Sequence, residues 1–144
     1  MSSFASKISD QRLLQLLAAA TLLYWLALTI VMHIPLPPPL REPEPGLPTD
    51  KTVHFVLYAG LATALFLTFE QRTRVRPTTR PGTQLVRAAA VFAFCAVHGY
   101  LEELTQPLSG RTYDLADFAA DCIGASSAVA VCLLAFRFLP ARAT

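Results

Sequence analysis

Residues that could do acid–base or ligand chemistry are concentrated in three short stretches of this 144-residue chain, at 50–58, 98–106 and 111–121. Imidazoles beside carboxylates are typical of general acid–base catalysis, of polar-ligand binding and of metal coordination. The candidate residues are Asp50, Lys51, His54, Tyr58, His98, Glu102, Glu103, Gln106, Arg111, Asp114, Asp117 and Asp121.

The spacing of these residues indicates that several share a helix face. Side chains three, four or seven positions apart lie on the same side of an α-helix. This spacing relates His54 to Tyr58, His98 to Glu102, and Asp114 to both Asp117 and Asp121. A rise of ~1.5 Å per residue puts His98 and Asp121 at similar depths below their helix ends. If the helices pack with these faces inward, the two histidines and the carboxylates form one outward-facing cup.

Four apolar stretches must position these residues. The chain is 53% hydrophobic and only 15% charged, whereas an average soluble domain has about 25% charged residues. A membrane core of ~30 Å requires ~20 apolar helical residues. We therefore expect an all-α integral membrane bundle of four transmembrane helices in a single domain. The predicted spans are about 13–34, 51–69, 85–104 and 115–139.

Proline and small residues refine this arrangement. Seven prolines within residues 35–48 exclude a helix there and predict a stiff, extended connector. Small residues spaced four apart, Gly60 with Ala64 and then Ala120, Gly124 and Ala128, predict close helix contacts. The three cysteines lie in apolar stretches without a C-x-x-C pair, so we expect buried, unreactive thiols.

The basic residues predict the orientation. Nine of the twelve lysines and arginines lie near the two termini, in the loop between spans two and three or, for Arg87, just inside span three. Basic residues favour the cytoplasmic side, so both termini are predicted to be cytoplasmic. The chain is then a multi-pass protein of the cell (cytoplasmic) membrane, with the lipid bilayer as its partner and the three polar stretches at its outer face. No basic run is interleaved with aromatic residues, and we expect no nucleic-acid partner.

Each polar group also has a structural interpretation. The aspartates that begin span four could only cap that helix. The two cations, Lys51 and Arg111, could pair with Asp50, Glu102 or Glu103. The histidines could simply hydrogen-bond neighbouring helices. Histidine with carboxylates could also hold zinc, but no dense H-E-x-x-H pattern is present, and the sequence predicts no metal site and no cofactor.

Two motifs resemble the VanZ-like family. The first is Asp50-Lys51-x-x-His54-Phe55-x-x-Tyr58. The second is Glu102-Glu103-x-x-Gln106-x-x-x-Gly110-Arg111-x-x-Asp114-x-x-Asp117-x-x-Ala120-Asp121-x-x-Gly124. They cover about residues 50–130. Asp121 departs from the asparagine of many members, and Pro107 departs from their usual aromatic or other apolar residue. By this resemblance the polar signature residues are Lys51, His54, Glu103, Gln106, Arg111, Asp117 and Asp121.

The resemblance implies a small multi-spanning bacterial membrane protein associated with low-level teicoplanin resistance, and it implies no particular activity. The first hypothesis is an accessory cell-envelope protein that binds a lipid headgroup, a lipid-linked cell-wall intermediate or a partner. Its ligand-binding residues would be Asp50, Lys51, His54, Tyr58, Gln106, Arg111, Asp114, Asp117 and Asp121.

The second hypothesis is a membrane-embedded enzyme acting on a lipid-linked envelope substrate. Its catalytic candidates are His54, His98, Glu102, Glu103 and Asp121. A transporter or proton relay is the third hypothesis. It has the least support, because the inner half of the predicted bundle offers almost no polar steps.

The predicted orientation can be tested by cysteine accessibility. In a variant lacking the native cysteines, Pro43→Cys should react with a membrane-impermeant maleimide in intact cells, whereas Thr78→Cys should react only after lysis. The reverse pattern would contradict the orientation, and labelling of both sites in intact cells would contradict the four-span topology.

Overall fold

The computed structural model describes residues 2–34, 50–75 and 83–138, and it describes side chains from 8 onward except that of Thr83. Within these ranges the protein is helical, with α1 Ser2–His33, α2 Asp50–Val75, α3 Thr83–Thr105, a 3₁₀ turn Gln106–Ser109 and α4 Leu115–Phe138. Four helical stretches are long and apolar enough to cross a membrane: Ile8–His33, Asp50–Val75, Gln84–Ser109 and Leu115–Phe138. The all-α, four-helix prediction is confirmed at this level.

Some predictions fall outside the described residues. The proline-rich connector at 35–48, the arginines at 76 and 80 and the end of the chain from 139 all belong to this group. The cytoplasmic placement of both termini stays a prediction.

The helices extend beyond their predicted apolar spans. α1 begins at Ser2 instead of Leu13, and α2 continues to Val75 instead of Phe69. Hydropathy marks only the membrane-crossing part of a helix, whereas the helix itself continues until the sequence interrupts it. Residues before a proline disfavour helical geometry, and Pro77 follows soon after the end of α2.

Large apolar side chains cover the outside of the bundle. Leu16, Leu23 and Val131 are each about two-thirds exposed, while Tyr58 and Phe66 are fully buried between the helices. A water-soluble domain of this size rarely exposes so much contiguous apolar surface. This distribution supports a bilayer environment. Cys95 and Cys132 are buried and Cys122 is half-buried, and all three are free thiols.

α2 is the central element, because it contacts α1, α3 and α4. On the α1 side, the Tyr24 hydroxyl donates to the Leu57 carbonyl at 2.9 Å, and its ring lies where a Cβ on Gly60 would be. The Thr21 hydroxyl also donates to the Ala64 carbonyl at 3.2 Å. The close contact predicted for Gly60 and Ala64 is therefore made with α1.

The packing of α2 on α4 depends on Gly124. A Cβ at this position would overlap the backbone carbonyl of Phe55, so only glycine permits the helices to approach this closely. His54 is adjacent to Phe55, and Asp121 lies one turn before Gly124. The close approach therefore sets the register that brings His54 to Asp121.

The opposite end of the bundle contains a closed polar pair. Sequence alone assigned Glu70 to a loop, but it lies in α2, where Arg87 of α3 contacts its carboxylate at 2.8 Å. The Gln71 amide donates to the Asp10 carbonyl of α1 at 3.1 Å. Both contacts have a structural role, because they satisfy polar groups within the bundle.

Enlarging Gly124 should loosen the α2–α4 contact. We expect Gly124→Ala to destabilise the protein by about 1–3 kcal/mol, the usual cost of forcing an extra carbon into packed helices. The measurement is reversible unfolding in mixed detergent micelles. Ser127→Ala, an exposed position on the same helix, is the matched control and should stay near the wild type. Equal stability of both variants would show that the close approach is not needed.

Candidate functional site

Four nearly fully buried side chains from three helices form what we call the His54 cluster. His54 belongs to α2, Glu103 to α3, and Asp117 and Asp121 to α4, and none is more than 4% exposed. They meet because α2 and α4 begin, and α3 ends, at the same end of the bundle. Ionisable groups placed this deeply in a membrane bundle are costly, so they mark a candidate functional site.

The central contact of this cluster is a buried imidazole–carboxylate pair. The Nδ1 atom of His54 lies 2.9 Å from Oδ1 of Asp121. An ionised carboxylate only accepts hydrogen bonds, so beside an ionised Asp121 Nδ1 carries a proton, and Nε2 holds a lone pair when the imidazole is neutral. Nε2 lies 3.9 Å from Asp117 Oδ2, and it has no hydrogen-bond partner within the described residues. The pair therefore orients an imidazole whose second nitrogen is available.

Glu103 ties the end of α3 to the start of α4. Its Oε2 accepts a hydrogen bond from the Asp114 backbone N–H at 2.9 Å, whereas its Oε1 is buried and unpartnered in the described part of the chain. Gln106 follows one turn later and is fully buried. Neither amide atom of its side chain has a partner among the described residues.

A polar rim of four partly exposed residues surrounds the His54 cluster: Asp50, Lys51, Arg111 and Asp114. The Lys51 ammonium donates to Asp114 at 2.9 Å and to Asp117 at 3.1 Å. Arg111 donates to both carboxylate oxygens of Asp50, at 3.0 and 3.2 Å, and to the Met32 carbonyl. The rim thus joins α2 to the start of α4 through ion pairs and contacts α1 through a hydrogen bond to its backbone.

Asp114 also caps α4, as one structural interpretation predicted. Its Oδ1 accepts the Ala116 N–H at 2.8 Å. The hydrogen bond from Lys51, together with this cap, lowers the pKa of Asp114. A lowered pKa favours the folded state above the carboxyl's ordinary pKa, and this contribution is lost as the pH falls through the lowered value. Of the acids offered as partners for the two cations, Asp50 pairs with Arg111, whereas Lys51 pairs instead with Asp114 and Asp117.

A second polar group, the His98 cluster, lies between α1, α2 and α3 and consists of Thr29, His33, Tyr58, His98 and Glu102. His98 contacts the Tyr58 hydroxyl at 2.8 Å, Thr29 at 3.2 Å and Glu102 at 3.2 Å. His33 Nδ1 lies 3.0 Å from the Glu102 carboxylate and 2.9 Å from the Thr29 carbonyl. All of these contacts are made within the protein.

The polar residues therefore form two buried clusters and a partly exposed rim, instead of the single cup expected from the sequence. The predicted meeting of His98 with Asp121 is wrong for the described side chains, because His98 turns towards α1 and α2 while Asp121 contacts His54. Tyr58, one turn after His54 on α2, links the two clusters. Sequence reasoning missed Thr29 and His33, although their four-residue spacing at the outer end of span one was a usable signal.

Charge in this end of the bundle is dominated by carboxylates. The rim and the two clusters together contain the permanent cations Lys51 and Arg111 and six acids, which are Asp50, Glu102, Glu103, Asp114, Asp117 and Asp121. Both cations already pair with acids. The arrangement therefore attracts cationic or zwitterionic partners more strongly than simple anions.

Comparison of the chain with protein-family models, curated proteins and solved structures finds no match. The resemblance to the VanZ-like family therefore rests on the two motifs alone.

Energetic coupling between His54 and Asp121 should be measurable. Each single substitution, His54→Ala or Asp121→Ala, leaves a buried partner unpaired and should cost about 3–5 kcal/mol. We expect the double variant to cost less than the sum, with a coupling of about 0.5–3 kcal/mol. The measurement is a double-mutant cycle of unfolding in detergent.

The half-exposed pair Lys51–Asp114 serves as a control cycle, with an expected coupling below about 1 kcal/mol. Additive costs for His54 and Asp121 would show that their contact contributes nothing to stability.

Proposed function

We propose that this chain is a VanZ-like accessory protein of the bacterial cytoplasmic membrane. Its polar rim and His54 cluster bind the polar head of an envelope lipid or of a lipid-linked cell-wall intermediate. One observation carries the proposal: all seven signature residues come from motifs about 50 residues apart, and they gather at one end of the bundle. Ion pairs and burial hold them there.

The chemistry of the rim supports a zwitterionic headgroup. Lys51 is about half-exposed, and two of its three N–H donors reach Asp114 and Asp117. The remaining donor is available to a phosphate at the level of the lipid headgroups. The surplus of carboxylates suits an ammonium group in the same ligand.

Binding of this kind accounts for the expected link to teicoplanin. Glycopeptides act on cell-wall precursors. A membrane protein that holds a precursor or its neighbouring lipids therefore changes how much precursor the drug reaches. The proposed binding therefore has a modest effect on the glycopeptide susceptibility of the cell.

One feature favours a second candidate function, a membrane-embedded enzyme. A carboxylate that holds Nδ1 of an imidazole and leaves Nε2 available is the arrangement used by general bases in hydrolases. Asp121 and His54 have this geometry at 2.9 Å. In this alternative His54 abstracts a proton, and Glu103 is the nearby acid on α3.

Headgroup binding can be measured on the purified chain in nanodiscs. We expect native mass spectrometry to detect retained phosphatidylethanolamine in preference to phosphatidylglycerol. Lys51→Met should weaken this retention about tenfold, because a charge-assisted hydrogen bond contributes about 1.5–3 kcal/mol. Ser127→Ala, which faces the bilayer side of α4, is the control. Equal retention of the two lipids, or no effect of Lys51→Met, would contradict headgroup recognition.

The two candidate functions differ in how variants behave. If the protein binds, the protection against teicoplanin that the wild type gives an expressing strain should shrink by degrees across Lys51→Met, Asp114→Asn and His54→Ala. Complete loss in His54→Ala and Asp121→Ala, with Lys51→Met nearly normal, would support the enzyme. Normal behaviour of every folded variant would contradict both.

A further inference from the structure

We propose that His54, Glu103 and Asp121 bind one divalent transition-metal ion, Zn²⁺ or Mn²⁺, between α2, α3 and α4. The inference goes beyond headgroup binding, because these three side chains lie beneath the rim and bury their polar atoms inside the bundle. The sequence predicted no metal site, since its ligands come from three separate helices instead of one compact motif.

The geometry has the dimensions of a metal site. His54, Glu103 and Asp121 each offer one ligand atom, and these atoms all lie within 4.8 Å of one another. Ligands that sit about 2.0–2.2 Å from a common ion are no more than about 4.4 Å apart. Only small side-chain adjustments therefore separate the observed arrangement from coordination.

A second observation points to a ligand. Each of these residues has a buried polar atom without a hydrogen-bond partner within the described residues: Nε2 of His54, Oε1 of Glu103 and Oδ2 of Asp121. Orphaned polar atoms are rare in folded proteins, and each needs a physical explanation. A cation between these side chains satisfies Oε1 of Glu103 and Oδ2 of Asp121, and it neutralises two carboxylates that no lysine or arginine contacts within the described residues.

The pairing of His54 resembles that of a metal ligand. Histidines that coordinate metals usually donate their other ring N–H to a carboxylate, which fixes the tautomer and orients the ring. Nδ1 of His54 faces the Asp121 carboxylate at 2.9 Å, so Nδ1 is the ring nitrogen that coordinates the ion, with loss of its proton. Nε2–H then lies on the side of the Asp117 carboxylate, 3.9 Å away. Gly99 of α3 leaves room for the Asp121 carboxylate, because a Cβ there would lie 2.8 Å from Asp121 Oδ2.

A neighbouring set of residues is a weaker candidate. Asp50, His54 and Asp117 also have ligand atoms within 4.8 Å of one another. However, Arg111 engages both oxygens of Asp50, and Lys51 engages Asp117. These acids are already neutralised by protein cations, whereas Glu103 and Asp121 are not.

The donor set selects the class of ion. One imidazole and two carboxylates suit Zn²⁺ and Mn²⁺, whereas Ca²⁺ and Mg²⁺ prefer oxygen ligands in larger number. Gln106, one turn after Glu103, adds a buried amide as a candidate fourth ligand.

The test uses the full chain, purified in detergent through a tag without histidines, treated with chelator and desalted. ZnCl₂ or MnCl₂ is then titrated, and metal content is measured by mass spectrometry of the elements. We expect one equivalent of at least one ion per chain and a rise in Tm on loading. Glu103→Gln should weaken binding about 100-fold or more, beyond the 10- to 100-fold typical of outer partners.

Glu70→Gln is the matched control, because it makes the same change in a buried glutamate at the opposite end of the bundle, and it should bind metal like the wild type. Uptake of neither ion by the folded wild type would overturn the proposal. Unchanged uptake in Glu103→Gln would overturn it too, as would loss in Asp50→Asn with Glu103→Gln unaffected. The wild-type stoichiometry decides the matter even if a variant fails to fold.

The metal-binding test and the lipid-binding test can fail independently of each other. A chain that binds one metal ion but shows no headgroup preference contradicts only the proposed function. A chain that selects phosphatidylethanolamine without binding metal contradicts only this inference.

Discussion

The structure depends on the close approach of α2 and α4, made possible at Gly124. Where the Phe55 carbonyl contacts this glycine, no side chain fits between the two backbones. The approach holds His54 against Asp121 in a bundle whose outer surface is apolar. A polar contact in such surroundings is costly to break, because water is not available to replace the lost partner. Packing and electrostatics therefore reinforce each other at one point.

The two ends of the bundle differ in how completely their charged groups are paired. At one end Arg87 closes on Glu70, and this single pair ties α2 to α3. At the other end two rim cations neutralise only part of the acid, and buried atoms of the His54 cluster have no partner within the described residues. A purely structural role requires only a closed ion pair such as that of Arg87 with Glu70. Buried polar atoms without partners reduce the stability of the fold, and this is the usual sign that a polar group serves a ligand or a reaction.

The rim, the His54 cluster and the His98 cluster follow one another from the partly exposed end of the bundle into its interior. Lys51 and Asp114 are half-exposed, His54 is buried below them, and Tyr58 continues on the same face of α2 to His98. A ligand at the rim is therefore in electrostatic contact with the buried acids. This continuity links the proposed headgroup site to the inferred metal site through shared side chains of α2 and α4.

The sequence by itself determined the four apolar helices, the small-residue contacts and most members of the polar groups, because hydropathy and helical periodicity act along the chain. It also indicated the capping by Asp114 and included Asp50 among the possible partners of Arg111. Only the tertiary structure decided that His54 meets Asp121 while His98 turns towards Thr29 and Tyr58. Spacing within a helix specifies a face, but which face meets which neighbour depends on how closely the backbones approach, and here that depends on a glycine.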